Sequence, residues 1–358
     1  MKNRKKYGII IKYVFCERRG SMDLKNTVIR LAEASGASGC EENAAQTALG
    51  MLREYCPDAV IDNGNVIGTL GGFDESRPTL LIDAHLDQVG MIVTSITDEG
   101  FIKFSNLGGI DRRLLPAQPV TVHGKYDIPG VISSVPPHLS SGEGGVPQMD
   151  EFAVDTGMTA DDLNEVVALG DSVTFRVKCR ELLGERITGC AMDDRCGIAA
   201  ILYALELLKD SKLKYNLTVL FSAQEELGER GAKIGAYKIN PDAAIAVDVS
   251  FGYAAGEPEN KCGYMGKGPM IGISPSLSRE LSDGLISAAE GAGIPYQIEV
   301  MNGLTSTNAD RFSVNREGAK ACTVSVPLRY MHTPVEVIDL EDVKLTGELL
   351  AGFVKEAE

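Results

Sequence analysis

Three short, nearly continuous apolar segments constrain the fold of this chain more than any other feature. They are TLLIDA at 79–84, NLTVLFSA at 216–223 and AAIAVDVS at 243–250. Runs of this length, apolar at almost every position, are typical of strands that are buried on both faces. Helix-patterned segments at 196–210 and 231–239 precede the second and third of them. This alternation predicts an α/β fold with a mixed, mostly parallel sheet flanked by helices.

The segment from 88 to 176 has a different pattern. It contains short alternating stretches, MIVTSI at 91–96 and FIKF at 101–104, between turn clusters rich in glycine and proline. This pattern predicts a small β-rich domain with long loops. A chain of 358 residues suits two domains, or one domain with an insertion. We therefore predict a main α/β domain at 22–87 and 177–358, split by an inserted β-rich domain at 88–176.

The N-terminal segment is basic, with seven lysines and arginines against one glutamate in the first 20 residues. A secretion signal would continue into an uninterrupted apolar core and a small-residue cleavage site. Here Lys12 interrupts the apolar stretch, and CERRG follows it. We therefore expect residues 1–21 to be a disordered extension, and the folded chain to begin near Met22.

Composition argues against several kinds of partner. The formal net charge is −15, which makes the chain a poor candidate for binding nucleic-acid phosphates. No apolar run approaches the ~20 residues needed to span a bilayer. The eight cysteines occur singly, without a CxxC pair, as in reduced cytosolic proteins. We therefore expect a cytoplasmic protein with neither nucleic-acid nor membrane partners.

Imidazole and carboxylate side chains follow the strand-like segments, although the chain has only four histidines. His85 ends the first segment, and Asp87 lies two residues further, on the side from which it can accept the second ring N–H of His85. Glu225 and Glu226 follow the second segment, and Asp248 lies near the end of the third. Because ligands gather outside the carboxyl ends of parallel strands, these side chains predict a binding site.

Two further polar groups have less specific sequence contexts. Asp193 and Asp194 precede a helix-patterned segment, where carboxylates commonly cap free N–H groups. His332 lies in RYMHTPVEV at 329–337. With one ligand from each acidic position (193–194, 225–226 and 248), the set comprises two histidines and three carboxylates, without cysteine. This set suits hard or borderline divalent cations. Five ligands are too many for one tetrahedral zinc with an open position, and fit two metals that share a bridging carboxylate and a bridging water.

Several features of the chain occur in the order found in one known family. They are HLDQVG at 85–90, the long insertion, DDRCG at 193–197, SAQEELGERGA at 222–232, AVDVS at 246–250 and RYMHTPVEV at 329–337. Together they resemble the glutamyl-aminopeptidase family of dinuclear metallopeptidases, also known as tetrahedral or TET aminopeptidases. The resemblance extends from about Met22 to the C-terminus and implies a di-zinc exopeptidase-like fold. Some members of the family carry the name endoglucanase.

The resemblance implies metal-binding roles for five residues. His85 and Asp248 are the implied ligands of the first metal. Glu226 and His332 are those of the second, and Asp193 bridges the two. The implied cofactors are two divalent ions per subunit, Zn²⁺ or Co²⁺. The implied assembly is a homododecamer built from dimers, in which the inserted domain makes contacts between subunits.

The same resemblance implies two catalytic roles and one substrate contact. Glu225 is the implied general acid/base, and Asp87 the residue that orients His85. Asp310, in TSTNADRF, resembles a loop on the substrate side and is a candidate substrate contact. The family usually has an acidic residue at the position of Gln88, which is not a ligand, so this departure leaves the metal sites intact.

These assignments predict a metal-dependent aminopeptidase that releases N-terminal amino acids from peptides with a free N-terminus, using a water activated by two metals. A glycoside hydrolase is the first alternative, because Glu225 and Glu226 are paired acids and some relatives carry the endoglucanase name. The absence of tryptophan and an aromatic content of 6% argue against sugar stacking. A related di-metal carboxypeptidase or deacylase is a further alternative. The preferred N-terminal residue and the native metal stay open.

Overall fold

The computed structural model describes residues 22–139 and 145–356, so the predicted extension at 1–21 lies outside the described residues. Within them, the strands are β1 Val60–Asp62, β2 Asn65–Thr69, β3 Thr79–His85, β4 Gly90–Ile96, β5 Phe101–Leu107, β6 Pro119–His123, β7 Asp127–Ile132, β8 Val154–Asp155, β9 Ser172–Phe175, β10 Arg180–Glu181, β11 Arg186–Gly189, β12 Asn216–Ser222, β13 Ala243–Phe251, β14 Met270–Ile273, β15 Gln297–Val300, β16 Lys320–Leu328 and β17 Glu336–Asp339. The α-helices are α1 Leu24–Ala32, α2 Glu42–Leu52, α3 Ala160–Val166, α4 Met192–Leu208, α5 Arg230–Ile239, α6 Arg279–Ala292, α7 Ala309–Ser313 and α8 Leu340–Glu356. None of the helices among these residues is long and apolar enough to cross a membrane.

An eight-stranded mixed sheet forms the centre of the main part of the chain, in the order β1-β2-β12-β3-β13-β16-β14-β15. The three apolar segments identified in the sequence are β12, β3 and β13, which are neighbours and run parallel. β16 extends this parallel group, whereas β1, β2 and β14 form antiparallel pairs on either side of it. The predicted mixed, mostly parallel sheet flanked by helices is therefore confirmed.

The central strands are apolar at nearly every position because both faces of the sheet are covered. Leu80 and Ile82 of β3 belong to one core, together with residues of α1, α2, α4, α6 and α8. Leu81, between them, belongs to a second core with residues of α5 and α7, including Phe312. Alternate residues of one strand therefore enter different cores, as the two-residue period of a strand requires. By the same period, His85 lies on the face of Leu81.

A closed barrel of strands β4-β5-β8-β7-β6-β9 follows directly after β3 in the chain. Its interior is a separate apolar core that includes Met91, Ile102, Phe104, Val120 and Val173. The alternating pattern of the sequence reflects this arrangement, because every second side chain of a barrel strand points inward. The small β-rich insertion predicted from that pattern is confirmed, and its form is a barrel.

A small antiparallel sheet of β10, β11 and β17 was not predicted from the sequence. In it, Gly189 of β11 lies opposite Glu336 of β17. β11 leads into α4, which carries Asp193, and β17 follows the segment that carries His332. This sheet therefore joins two predicted ligand segments that are far apart in the sequence.

The contact between α4 and α8 gives a test of the packing. An added Cβ at Gly347 of α8 would lie 2.7 Å from the carbonyl oxygen of Ala200 in α4, whereas one at Gly352 would meet nothing within 4 Å outside its own helix backbone. We expect Gly347→Ala to lower the free energy of unfolding by about 1–3 kcal/mol, because the two helices must move apart. Gly352→Ala should raise it by about 0.5–1 kcal/mol, because alanine favours the helix. Urea unfolding, monitored by circular dichroism, measures both free energies. Equal changes of the same sign in the two variants would contradict the close approach of α4 and α8 at Gly347.

Candidate metal centre

The carboxyl ends of three parallel strands place most of the predicted site residues side by side. His85 is the last residue of β3 and lies opposite Ser222, the last residue of β12. Glu225 and Glu226 follow Ser222 in the turn before α5, and Asp248 lies in β13. His85 and these three acids line one cavity of about 570 Å³. The cavity therefore lies where α/β sheets commonly bind their ligands.

Asp193 lies between the two predicted histidine ligands. Its Oδ1 is 2.9 Å from Nε2 of His85, and its Oδ2 is 3.3 Å from Nε2 of His332. The same nitrogen of His332 is 3.0 Å from Oε1 of Glu226. The structure therefore brings the predicted ligands together, although each comes from a different part of the sequence.

Three overlapping groups of side chains have donor atoms close enough to hold metal ions. The donor atoms of His85, Asp193 and Asp248 lie within 4.8 Å of one another, as do those of Asp193, Glu226 and His332 and those of His85, Glu225 and Glu226. Asp193 is common to the first two groups. Imidazole combined with carboxylate is a donor set for zinc and related divalent cations, so the residues present fit the predicted kind of site.

The crowded carboxylates make this centre electrostatically unfavourable by itself. Burial, together with repulsion from Asp193 and Glu225, raises the pKa of Asp248 well above its ordinary value. Burial also raises the pKa of Glu225 to about 8. Burial opposes the ionisation of Asp193 as well, but hydrogen bonds from His332 and His85 hold its pKa below its ordinary value. The cluster therefore favours positive charge between its carboxylates, and a divalent cation supplies that charge.

Asp193 and Asp194 have different places in the local structure. Oδ1 of Asp194 accepts the N–H of Gly197 in α4 at 3.2 Å, and Oδ2 accepts the N–H of His85 at 3.2 Å. The peptide bond between the two aspartates is cis, and both have non-helical backbone angles. Asp194 thus fulfils the capping function that its sequence context suggested, whereas the side chain of Asp193 extends into the centre.

Asp87 supports the centre mainly through backbone groups. Its carboxylate accepts the N–H of Glu225 at 2.8 Å and the N–H of Glu226 at 3.1 Å. Nδ1 of His85 is 3.0 Å from the backbone oxygen of Asp87 and 3.5 Å from its Oδ1. The nearer partner of the ring is therefore the backbone oxygen, and the carboxylate that the sequence predicted is the second partner. The carboxylate also fixes the turn that carries both glutamates.

Glu336 is a buried residue that the sequence analysis did not identify. Its Oε2 accepts the N–H of Met192 at 2.8 Å and the N–H of Asp193 at 3.3 Å. Its Oε1 accepts the N–H of His332 at 2.8 Å. One carboxylate thus fixes the backbone at two predicted ligands from distant segments. The signal in the sequence was an acid four residues after His332, directly before the apolar pair Val337 and Ile338.

Asp310, the predicted substrate contact, lines the same cavity. Its two carboxylate oxygens lie 3.0 and 2.9 Å from the backbone nitrogen of Thr305, and its Oδ2 accepts the N–H of Ser306 at 3.0 Å. Asn308, in the same loop, donates from Nδ2 to Oδ2 of Asp83 on β3 at 2.7 Å. These bonds fold the loop and attach it to the central sheet beside the centre.

The chain matches the M42 glutamyl aminopeptidase family over residues 64–349 and belongs to that family. The resemblance identified in the sequence is therefore confirmed. The protein is a peptide hydrolase of the aminopeptidase type, and its clustered histidines and acids fit the metal dependence of the family.

Similar proteins match this chain over nearly its whole length. The lysyl aminopeptidase of Pyrococcus furiosus is 29% identical over 335 residues, which cover 91% of this chain and 95% of that protein. A TET aminopeptidase structure from a marine sediment archaeon, a member of the Thaumarchaeota, has a TM-score of 0.88 and 30% identity, over 94% of this chain and 96% of that one. The TET1 peptidase of Pyrococcus horikoshii, which can assemble into a tetrahedron or a large octahedral shell, has a TM-score of 0.81 and 32% identity, over 92% and 99% of the two chains. The similarity therefore includes both the main sheet and the barrel.

Glu336 provides a test of how the centre is held. We expect Glu336→Gln to lower kcat/KM for an aminoacyl coumarin amide by about 10–100-fold. The new amide nitrogen would replace an acceptor oxygen and face the backbone N–H of Met192 or His332, which displaces the residues that carry the donor atoms. Steady-state fluorescence assays measure the effect, and circular dichroism verifies the fold. Glu341→Gln, at an exposed acid of α8, is the control and should retain wild-type kinetics. Unchanged kinetics in Glu336→Gln would contradict the positioning role of Glu336.

Proposed function

We propose that this protein is a two-metal aminopeptidase that releases amino acids from the free N-terminus of peptides. The observation that carries the proposal is the position of Asp193, whose carboxylate belongs to two of the three groups of donor atoms. His85 and Asp248 would bind the first divalent ion, and Glu226 and His332 the second, with Asp193 as their common ligand. Zinc and cobalt both accept this donor set. Two divalent ions held by these residues would supply Lewis-acid chemistry, which polarises a scissile carbonyl and lowers the pKa of a water molecule toward ~7.

Glu225 is the proposed general acid and base. It lines the cavity, and its carboxylate groups with donor atoms of His85 and Glu226 but belongs to neither group that contains Asp193. Burial raises its pKa to about 8, while neighbouring cations favour its ionised form, so the carboxylate can both accept and release a proton near neutral pH. Glu225 would take a proton from the attacking water and pass it to the departing amine. Asp87 positions it by accepting its backbone N–H.

Specificity for a free N-terminus has two kinds of support. Membership of the glutamyl aminopeptidase family supports exopeptidase activity, and the relative from Pyrococcus furiosus is a lysyl aminopeptidase. The acids that line the described cavity also outnumber its one arginine, Arg311. Such a net negative surface attracts the ammonium group of an N-terminus and repels a C-terminal carboxylate.

A glycoside hydrolase receives less support from the cavity. The donor atoms of Glu225, Glu226 and His85 lie within 4.8 Å of one another, so the two glutamates lie together on one side. Glycosidases instead place two acids on opposite sides of a sugar ring, about 5–9.5 Å apart. Among the described residues that line the cavity, Phe251 is the single phenylalanine, tyrosine or tryptophan. Glu225 and Glu226 are therefore not an opposed pair, and the described lining offers little surface for sugar stacking.

We also propose that the chain forms a homododecamer built from dimers, with contacts made by the barrel. The assembly of the Pyrococcus horikoshii relative into closed shells supports this proposal. The barrel region exposes large apolar side chains, including Tyr126, Val131 and Leu169, and these are available for contact with another subunit.

The wild-type protein should hydrolyse aminoacyl coumarin amides with a free α-amine, but neither their N-acetylated forms nor cellulose oligosaccharides. Glu225→Gln should reduce kcat by about 100- to 10,000-fold, because an amide cannot accept the proton. It should bind as much metal as the wild type, because Glu225 is not a proposed ligand. Fluorescence assays and elemental analysis measure the two properties.

The matched control is Glu165→Gln, at an exposed acid of α3, which should behave as the wild type. A fully active Glu225→Gln would remove the proposed role of Glu225. Exclusive cleavage of N-acetylated substrates would instead favour a deacylase, and cleavage of the oligosaccharides a glycosidase.

The mass of the assembly is a separate test. Light scattering coupled to size-exclusion chromatography should give twelve times the chain mass of 38.3 kDa. A chain that begins at Met22 should give the same number of subunits, because the proposed contacts lie in the barrel. A monomeric mass at micromolar concentration would contradict the proposed assembly, and loss of the assembly in the shortened chain would assign the contacts to residues 1–21.

A further inference from the structure

Glu299 is an acid of the same cavity that has no part in the proposed reaction. It lies on β15, at the edge of the main sheet, and lines the cavity together with the proposed metal ligands and Glu225. Its register partner on the neighbouring strand β14 is Gly272, which has no side chain. The side chain of Glu299 can therefore extend across β14 toward the strands that carry the centre.

Two serine hydroxyl groups hold the carboxylate of Glu299. Ser250 donates to its Oε1, and Ser325 donates to its Oε2 at 3.2 Å. Ser250 lies two residues after Asp248 on β13, and Ser325 is the register partner of Asp248 on β16. The carboxylate is therefore anchored beside a proposed metal ligand. Because a carboxylate has about four acceptor positions, it can still accept hydrogen bonds from a group in the cavity.

The other charged groups of this wall already have partners. Asp310 accepts backbone N–H groups, and Oε2 of Glu229 is 2.8 Å from Nε of Arg311. For Glu299, burial raises the pKa and the hydrogen bonds from the two serine hydroxyls oppose that change. Within the described ranges, Glu299 is thus a carboxylate of the cavity held by hydroxyl groups alone.

Apolar side chains line the cavity around these charged groups. They include Phe251, Met301, Leu304 and Met331. Apolar walls suit the methylene chain of a long side chain, whereas the carboxylate suits a charged end. The combination matches an extended alkyl chain that ends in a cation, and it disfavours a side chain that ends in a carboxylate.

We infer that this cavity receives the side chain of a lysine or arginine at the N-terminus of the substrate, and that Glu299 binds its cationic end. The inference rests on the proposed aminopeptidase function, because the N-terminal side chain enters the cavity when the first peptide bond lies at the metal centre. An uncharged linear side chain of the same length fills the apolar walls but leaves Glu299 without a cation. Glu299 is thereby a residue that determines specificity and takes no part in bond cleavage.

Coumarin amides of lysine, arginine, norleucine, leucine and glutamate test this inference with the metal-loaded protein. Norleucine has the linear carbon chain of lysine without the charge. The wild type should have a kcat/KM at least about 10-fold higher for lysine than for norleucine, and the lowest value for glutamate. Glu299→Gln should lower kcat/KM for lysine and arginine by about 10–100-fold and change that for norleucine less than about threefold.

Two further variants separate charge recognition from a structural role. Glu299→Asp keeps the charge and should retain the preference for lysine over norleucine, even if both rates fall. Glu290→Gln, at an exposed acid of α6, should match the wild type on every substrate. An equal loss on lysine and norleucine in Glu299→Gln would assign Glu299 a structural role and overturn the inference.

The failures of the two proposals are distinguishable. If the wild type cleaves norleucine, leucine or glutamate substrates as fast as lysine, the aminopeptidase function stands and the inference about Glu299 is wrong. If it cleaves none of the free-amine substrates, the proposed function itself is wrong. Should Glu299→Gln not fold, the lysine-to-norleucine ratios of the wild type and of Glu299→Asp decide the question.

Discussion

Negative charge crowded at the carboxyl ends of β3, β12 and β13 is the constraint on which the rest of the structure depends. Buried carboxylates that lack hydration repel one another and resist ionisation, as the raised pKa of Asp248 illustrates. Asp193 stays ionised because His85 and His332 flank it at 2.9 and 3.3 Å. Such an arrangement is costly in a folded protein unless cations offset the charge. The proposed pair of divalent ions would offset this charge and would take part in the proposed peptide hydrolysis.

A second set of carboxylates holds the cluster without entering it. Glu336, Asp87 and Asp194 each accept backbone N–H groups next to the proposed ligands or Glu225. Backbone attachment restricts position more firmly than contact between two flexible side chains, because the peptide unit has few degrees of freedom. The separation between donor groups and supporting groups explains how side chains from five segments are held together.

The side chains that the structure brings together could be picked out from the sequence because they interrupt strong patterns. His85 and Asp248 are polar residues at the ends of apolar runs, and a chain with four histidines leaves few candidates. Glu336 and Glu299 carried no comparable signal, since their partners lie far away in sequence and are met only after folding. The strands β14 and β15 are four residues long, which is too short for a two-residue period to be distinctive. The division of the chain at residues 88 and 176 and the implied catalytic roles stay predictions.

Metal content measured together with activity tests the dinuclear centre most directly. The protein would be stripped with a chelator and titrated with Zn²⁺ or Co²⁺, with bound metal quantified by elemental analysis and turnover by a free-amine aminoacyl amide. A dinuclear centre predicts an inactive stripped protein, recovery of activity as metal is added, and a plateau at two ions per chain that Asp193→Asn abolishes. Full activity in the metal-free protein, or a plateau at two ions that survives Asp193→Asn, would contradict it.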